Sequence, residues 1–397
     1  MPRPAHIAMI GTPMVSHVLP SLEIIRELVA RGHRVTYANA DHTAELITHT
    51  GAELVPLTST LPVAHQDWPQ DPIAAAALFL DEAMAVLPQL HAAYDDDPAD
   101  LYLYDTGAYA ARALAEAQGR PLVQLSPMHA AWEGAQEEIS AALGELPGGP
   151  EHRARFAAWL ERCGAVTTSV EEFTGHPRRV LAMIPHAMQP HADRVDTEAV
   201  TFVGPCTGAG EEQDGWMRPA GAKKVLLVSL AGSAYLGPQE IYQQCVAAFA
   251  DLPGWHVVLQ TTGDSDPSEL TERIPANFEV RPWTSPMTIL EHADACVTHT
   301  AMGSSSECLY AGVPAIAVPD GAEQGIYADR LVELGVARRI NTTDLTAAAL
   351  RTALMELIGD PRIAARSAWL WAEVRAEGGT RRAADLIEEE LAKERVG

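Results

Sequence analysis

Two stretches of this sequence combine residue types and spacing that suit chemistry. In Gly11-Thr-Pro-Met-Val-Ser16-His17-Val-Leu-Pro20, a histidine follows the apolar run His6-Ile-Ala-Met-Ile10. Imidazole titrates near neutral pH, so His17 has the chemistry of a general base; it would also serve as a plain packing residue at a helix start. A base histidine works best when a carboxylate holds one ring nitrogen and supports the imidazolium. Asp105, after the run Leu101-Tyr-Leu-Tyr104, is the candidate carboxylate. It would equally cap the helix expected over Ala108 to Gln118.

The second stretch, Ala295-Cys-Val-Thr-His299, runs into Thr300-Ala-Met-Gly303-Ser304-Ser305-Ser306-Glu307, with a helix expected over Cys308 to Gly312. Small residues between strand and helix let backbone N–H groups approach a phosphate oxygen, and the helix N-terminus adds partial positive charge. Ser304, Ser305 and His299 offer further donors for a diphosphate; alternatively Gly303 and the serines only cap the helix. Upstream, Trp283 closes a strand with an indole face that can stack on a nucleobase or pack in a core. Downstream, Glu323-Gln324 follows the buried run Ala315 to Val318 and suits sugar hydroxyls.

The elements that would position these residues alternate. The run His6 to Ile10, a helix from Pro20 to Arg31 and the run Arg34 to Ala38 form a βαβ signature, with Gly32 placed to end the helix in the left-handed conformation. Strands are expected at Glu53 to Pro56, Leu101 to Tyr104, Leu122 to Ser126 and Val180 to Ile184. A second series follows: strand Val225 to Leu230, helix Pro238 to Ala250, then strands His256 to Gln260, Phe278 to Trp283, Ala295 to His299 and Ala315 to Val318. Between the series, Pro205 to Gly215 is rich in Gly and acidic residues and lacks apolar periodicity, as a linker does. The expected fold is α/β with two Rossmann-like domains, residues 1–204 and 223–378, joined by a linker at 205–222 and followed by a terminal helix at 379–397. Ligands would then sit in a cleft between them.

Composition limits the partners. The 397 residues exceed one ordinary domain, and a net charge of -25 repels nucleic acid and anionic membranes. No run of about 18 apolar residues reads as a membrane span, and the N-terminus lacks a secretory pattern. Five dispersed cysteines without a Cys-x-x-Cys pair fit a reducing cytoplasm. Asp95-Asp-Asp97 reads as solvated surface, and His42, His49, His65 and His91 have no zinc-ligand spacing, so no metal is expected.

Taken together, these motifs resemble the bacterial macrolide glycosyltransferases, inverting nucleoside-diphosphate-sugar enzymes of the GT-B architecture with two facing Rossmann-like domains. The resemblance covers nearly the whole chain. It rests on Ser16-His17-Val-Leu-Pro20, Arg31-Gly-His33-Arg-Val-Thr36 and the segment from Trp283 to Gln324. It implies His17 as base with Asp105 as its partner. Trp283 would lie on uracil; His299, Gly303 and Ser304 would hold the diphosphate, with Ser233 from a Ser-Leu-Gly-Ser-like turn; Glu307 would bind the ribose, and Glu323 with Gln324 the sugar. It further implies an apolar acceptor pocket walled by Trp68, Phe79, Met84, Met128 and Trp132, no cofactor beyond a UDP- or TDP-sugar co-substrate, and a monomer or homodimer. The terminal helix, with Ala383, Leu386, Ile387 and Leu391 on one face, would cross back to the first domain.

Some positions depart from the family pattern. Trp-x-Pro-Gln is Trp283-Thr284-Ser285-Pro286, His-x-Gly is His299-Thr300-Ala301, and Asp-Gln is Glu323-Gln324. Ser16 and Leu19 replace a glycine and an asparagine, and Ala231 lengthens the turn at Ser233. UDP-glucose is the expected donor. The alternatives are a TDP-deoxysugar transferase, a non-catalytic binding homologue and a nucleotide-sugar epimerase.

Overall fold

The structure is a computed structural model that describes residues 4–63, 67–207, 216–230, 238–261, 274–282 and 286–394. The chain divides into two compact units. One comprises Met1–Ile184, Gln189–Cys206 and Gly378–Gly397; the other comprises Pro185–Met188 and Thr207–Glu377. The first unit is thus assembled from three chain segments, and Pro185–Met188, expected in it, belongs to the second.

In the first unit, β1 (His6–Ile10), β2 (Arg34–Ala40), β3 (Glu53–Leu57), β4 (Leu101–Asp105), β5 (Leu122–Ser126), β6 (Val180–Ala182) and β7 (Val200–Phe202) form one sheet in the order β3-β2-β1-β4-β5-β6-β7. Every pairing is parallel. Because side chains alternate along a strand, Ile7 and Met9 enter one core while Ala8 and Ile10 enter the core on the opposite face. The helices Val15–Ala30 and Gly379–Glu394 cover the first face, and Pro72–Tyr94, Tyr109–Ala117 and Gly149–Cys163 the second. Pro72–Tyr94 is long and apolar enough to cross a membrane by length and composition. Here its Leu80, Ala83, Val86, Leu87 and Leu90 pack against the sheet.

The second unit repeats the plan. Its strands β8 (Lys224–Ser229), β9 (Trp255–Thr261), β10 (Phe278–Pro282), β11 (Ala295–Thr298), β12 (Ala315–Ala317) and β13 (Ala337–Arg339) lie in the order β10-β9-β8-β11-β12-β13, again all parallel. In each sheet the strand order reverses once, between β1 and β4 and between β8 and β11. Parallel α/β sheets open a crevice beyond the strand ends at such a reversal.

The first helix begins at Val15, five residues before the expected start, so Pro20 lies inside it. Proline removes one N–H from the ladder, and Ser16, whose carbonyl would have accepted it, is exposed. His17 consequently sits in the first turn of this helix. The end is as read: Gly32 takes φ +91°, with His33 N bonded to Leu28 O at 3.2 Å and Gly32 N to Val29 O at 2.9 Å. This stop also anchors the helix Gly379–Glu394. Arg31 Nη1 donates to Asp385 at 2.6 Å and Glu388 at 2.8 Å, and the buried His33 Nε2 meets Glu388 at 3.0 Å. Ala383, Ala384, Ile387 and Leu391 complete the core beneath β1 and β2.

Ile387→Ala should lower the unfolding free energy by about 2–5 kcal/mol, and Glu389→Ala, at an exposed site on the same helix, by less than about 0.5 kcal/mol. Urea denaturation of the two variants checks this; equal effects would show that the helix contributes no core.

Candidate functional site

The strand reversal in the first sheet sets β1 beside β4, and their ends place Thr12 and His17 next to Asp105. His17 Nδ1 lies 2.9 Å from Asp105 Oδ1 and 3.1 Å from Oδ2. Thr12 Oγ1 donates to Oδ2 at 2.6 Å. Asp105 is 1% exposed and is the last residue of β4, not the residue after it. The next helix is capped at Ala108 without a side-chain bond, so the carboxylate serves His17 and Thr12 instead of capping. A carboxylate only accepts, which puts the imidazole proton on Nδ1 and the lone pair on Nε2. The loop carrying Thr12 is fixed in turn: Asn39 Nδ2 donates to Thr12 O at 3.2 Å, and His42 Nε2 bonds Pro13 O at 2.8 Å.

A cavity of about 850 Å³ opens in this unit, with Phe79, Thr106, Tyr109, Gln124, Trp132 and Phe156 in its wall. Thr106, the residue after Asp105, lies in the wall, while His17 and Asp105 themselves are not part of the lining. A Cβ on Gly107 would come within 2.9 Å of the Phe79 ring and 3.1 Å of Thr12 Cγ2, so only glycine lets that wall close on the loop. Of the residues expected to wall an acceptor pocket, Phe79 and Trp132 do line the cavity. Trp68 stands behind Phe79, ring centroids 5.8 Å apart, outside the lining. Met84 packs against the core, and Met128 is absent from the wall although its neighbours His129 and Ala130 are in it. Tyr109, Gln124 and Phe156 were not foreseen, because they come from separate elements with no common spacing.

In the second unit, β11 leads through His299 and Thr300 into the helix Met302–Ala311, six residues ahead of the expected start. Gly303 and Ser304 therefore belong to the first helical turn. Ala301 at the N-cap offers no side-chain bond, which leaves the first-turn amides and the positive helix end to a ligand. The serines are not ready donors. Ser304 Oγ receives the Thr298 hydroxyl at 2.9 Å and donates to Ala301 O at 3.1 Å, while Ser305 is fully buried. Nothing lies within 4 Å of a Cβ built on Gly303, so open space adjoins the turn.

Burial lowers the His299 pKa, partly offset by the charge of Asp320 and by a bond to the Ser229 backbone, so the ring is neutral at neutral pH. Its Nδ1 is buried without a hydrogen-bond partner among the described residues. Burial pushes Glu307, on the same helix, up to about 8. Glu323 is exposed at the start of the helix Ala322–Glu333 and accepts the Tyr327 hydroxyl at 2.6 Å. Gln324 is half-buried, and its main-chain oxygen accepts the Thr300 hydroxyl at 3.0 Å. Thr300 itself has φ +60°, a conformation that costs a β-branched residue roughly 1–3 kcal/mol. Trp283 and Ser233 lie outside the described residues. Among the described residues no three His, Cys, Asp or Glu side chains group to hold a metal ion.

Residues 253–389 match the family described as Erythromycin biosynthesis protein CIII-like, C-terminal domain. The chain is 48% identical to the oleandomycin glycosyltransferase of Streptomyces antibioticus over 98% of this chain and 91% of that one. It is 31% identical to the NDP-glycosyltransferase YjiC of Bacillus subtilis (strain 168), over 98% of each. The crystal structure of the glycosyltransferase of kitacinnamycin is similar with a TM-score of 0.89 and 46% identity, covering 98% of this chain and 100% of that one. The chain belongs to the bacterial macrolide glycosyltransferase family. This glycosyltransferase has the GT-B fold, and its two parallel-sheet units are the two domains of that fold class.

Two outcomes are expected in the glycosyltransferase. Thr12→Val removes a buried bond to a charged group and should cost about 1.5–3 kcal/mol of stability, with Thr12→Ser close to the wild type in thermal melts. For Glu307, the unfolded carboxyl releases its proton near 4.5 and the folded one near 8, so between those values the folded form holds more protons and stability falls as pH rises. Glu307→Gln cannot ionise; its melting temperature should match the wild type near pH 5 and exceed it near pH 8. A gap that does not change with pH would contradict the burial of this carboxyl.

Proposed function

We propose that this glycosyltransferase moves a hexose, glucose from UDP-glucose, to a hydroxyl of a macrolide-type acceptor, with inversion and without a metal. The observation that carries the reading is the His17–Asp105 contact at 2.9 Å. His17 Nε2 takes the proton of the acceptor hydroxyl as its oxygen bonds the anomeric carbon. The bond from that carbon to the diphosphate oxygen breaks, and the nucleoside diphosphate leaves with the electron pair. Asp105 supports the imidazolium that forms. The amides at the N-terminus of Met302–Ala311 and the neutral His299 ring would hold the diphosphate, a role that needs no divalent cation.

The acceptor class is supported by the 48% identity to an oleandomycin glycosyltransferase and by a cavity of about 850 Å³ with aromatic walls. The donor class is supported by the relative named as an NDP-glycosyltransferase. A TDP-deoxysugar is the second donor reading: Glu323, one methylene longer than aspartate, has its carboxylate drawn to Tyr327 on the same helix, which alters what it offers a sugar hydroxyl. Five free cysteines suit a reducing compartment, and we place the enzyme in the cytoplasm.

UDP- and TDP-sugars crossed with macrolide, aromatic polyketide and flavonoid acceptors, read by mass spectrometry, should give a product with UDP-glucose and a macrolide, unaffected by EDTA. NMR coupling should show the β-anomer from an α-linked donor. His17→Ala and Asp105→Asn should each lower turnover by at least about 10²-fold while UDP affinity stays unchanged. Full activity in His17→Ala would refute the mechanism.

A further inference from the structure

Thr300 stands out from the turn it occupies. It is fully buried, and its φ of +60° lies in the left-handed region that glycine adopts without strain and a β-branched residue adopts only under constraint. The constraint is visible in its bonds. The Thr300 N–H donates to Thr298 Oγ1 at 3.1 Å, and that hydroxyl passes its own proton to Ser304 Oγ at 2.9 Å, which closes on Ala301 O at 3.1 Å. These bonds fix the path from the end of β11 into the first turn of Met302–Ala311. In the other direction, the single proton of the Thr300 hydroxyl is shared between His299 O at 2.7 Å and Gln324 O at 3.0 Å. Gln324 is in the first turn of the helix Ala322–Glu333, next to Glu323. One side chain therefore spans two segments separated by more than twenty positions in sequence, and a glycine, although better suited to the backbone angle, would have no hydroxyl to do so.

We propose that Thr300 is a positioning residue that sets the Glu323-Gln324 turn against the diphosphate turn at His299, so that one hydroxyl gauges the distance between the sugar and diphosphate ends of the donor. The proposal rests on the reading of these two turns as donor-binding. It accounts for a strained residue at this position: the hydroxyl reaches Gln324 O as well as His299 O, and the amide of the same residue secures the helix start. Both polar groups of Thr300 bond within the protein. Its effect passes through the backbone of Gln324, and it falls on the sugar and not on the nucleoside diphosphate.

Calorimetric affinities for UDP and UDP-glucose, with TDP and TDP-glucose in parallel, test this in the full-length wild type, Thr300→Ser, Thr300→Val and Thr300→Gly. Thr300→Val and Thr300→Gly should bind the nucleoside diphosphate within about twofold of the wild type and lose about tenfold for the nucleotide sugar, the scale of one buried hydrogen bond. Donor KM should rise with them while acceptor KM does not, and Thr300→Ser should restore both. Thr300→Gly relieves the backbone strain, so the test does not hang on the folding of the valine variant. An unchanged ratio between nucleotide-sugar and nucleoside diphosphate affinities in Thr300→Gly overturns the proposal alone. A wild type that binds none of the four ligands overturns it together with the donor reading.

Discussion

The first unit is organised around one carboxylate that water barely reaches. Asp105 ends β4 at 1% exposure, and a charge in that position persists only if donors replace its hydration. Thr12 and His17 supply them. Each donor needs its own support: Thr12 depends on a loop held by Asn39 and His42, and His17 on a helix that starts early enough to place it in the first turn. The pairing of β1 with β4 brings the donors and the acceptor together, so the sheet order and this buried hydrogen-bond cluster are one requirement.

The second unit solves a different problem at the equivalent place. Its reversal between β8 and β11 presents neutral donors: backbone amides at a helix start and an imidazole that burial keeps uncharged. In a chain of net charge -25, the diphosphate site proposed above could not depend on the overall field, and these oriented dipoles would supply the local attraction. Even Glu307 conforms, since burial favours its protonated form in the neutral range.

Much of this was legible in the sequence because parallel sheets write plainly: short apolar strands, helices between them, glycine at the helix end. His17 and Asp105 stood out by following such strands. What failed was local. Pro20 was read as a helix start, whereas one lost amide beside the exposed Ser16 is tolerated inside it. The run Gly303 to Ser306 was read as loop, but packing of Ser305 and Ser306 into the interior overrides their weak helix propensity. That error made Ser304 look like a free donor when its hydroxyl is engaged at home. Pairings over distance were beyond reach: Thr12 with Asp105, Thr300 with Gln324, and the thiols of Cys296 and Cys308, which meet at 2.8 Å. The strands β7 and β13 were not seen: Val200-Thr-Phe202 and Ala337-Arg-Arg339 lack the continuous apolar run that marked the equally short β6 and β12.

The ties from Arg31 and His33 to the helix Gly379–Glu394 have a consequence during synthesis. The core under β1 and β2 includes Ala383, Ala384, Ile387 and Leu391, which leave the ribosome only after every residue of the second unit has emerged. Domains of a nascent chain generally fold from the N-terminus onward. Here the order is interrupted: the unit translated first has the apolar face beside Val15–Ala30 only partly covered until Gly379–Glu394 arrives, so the sheet of the second unit can be complete before that of the first.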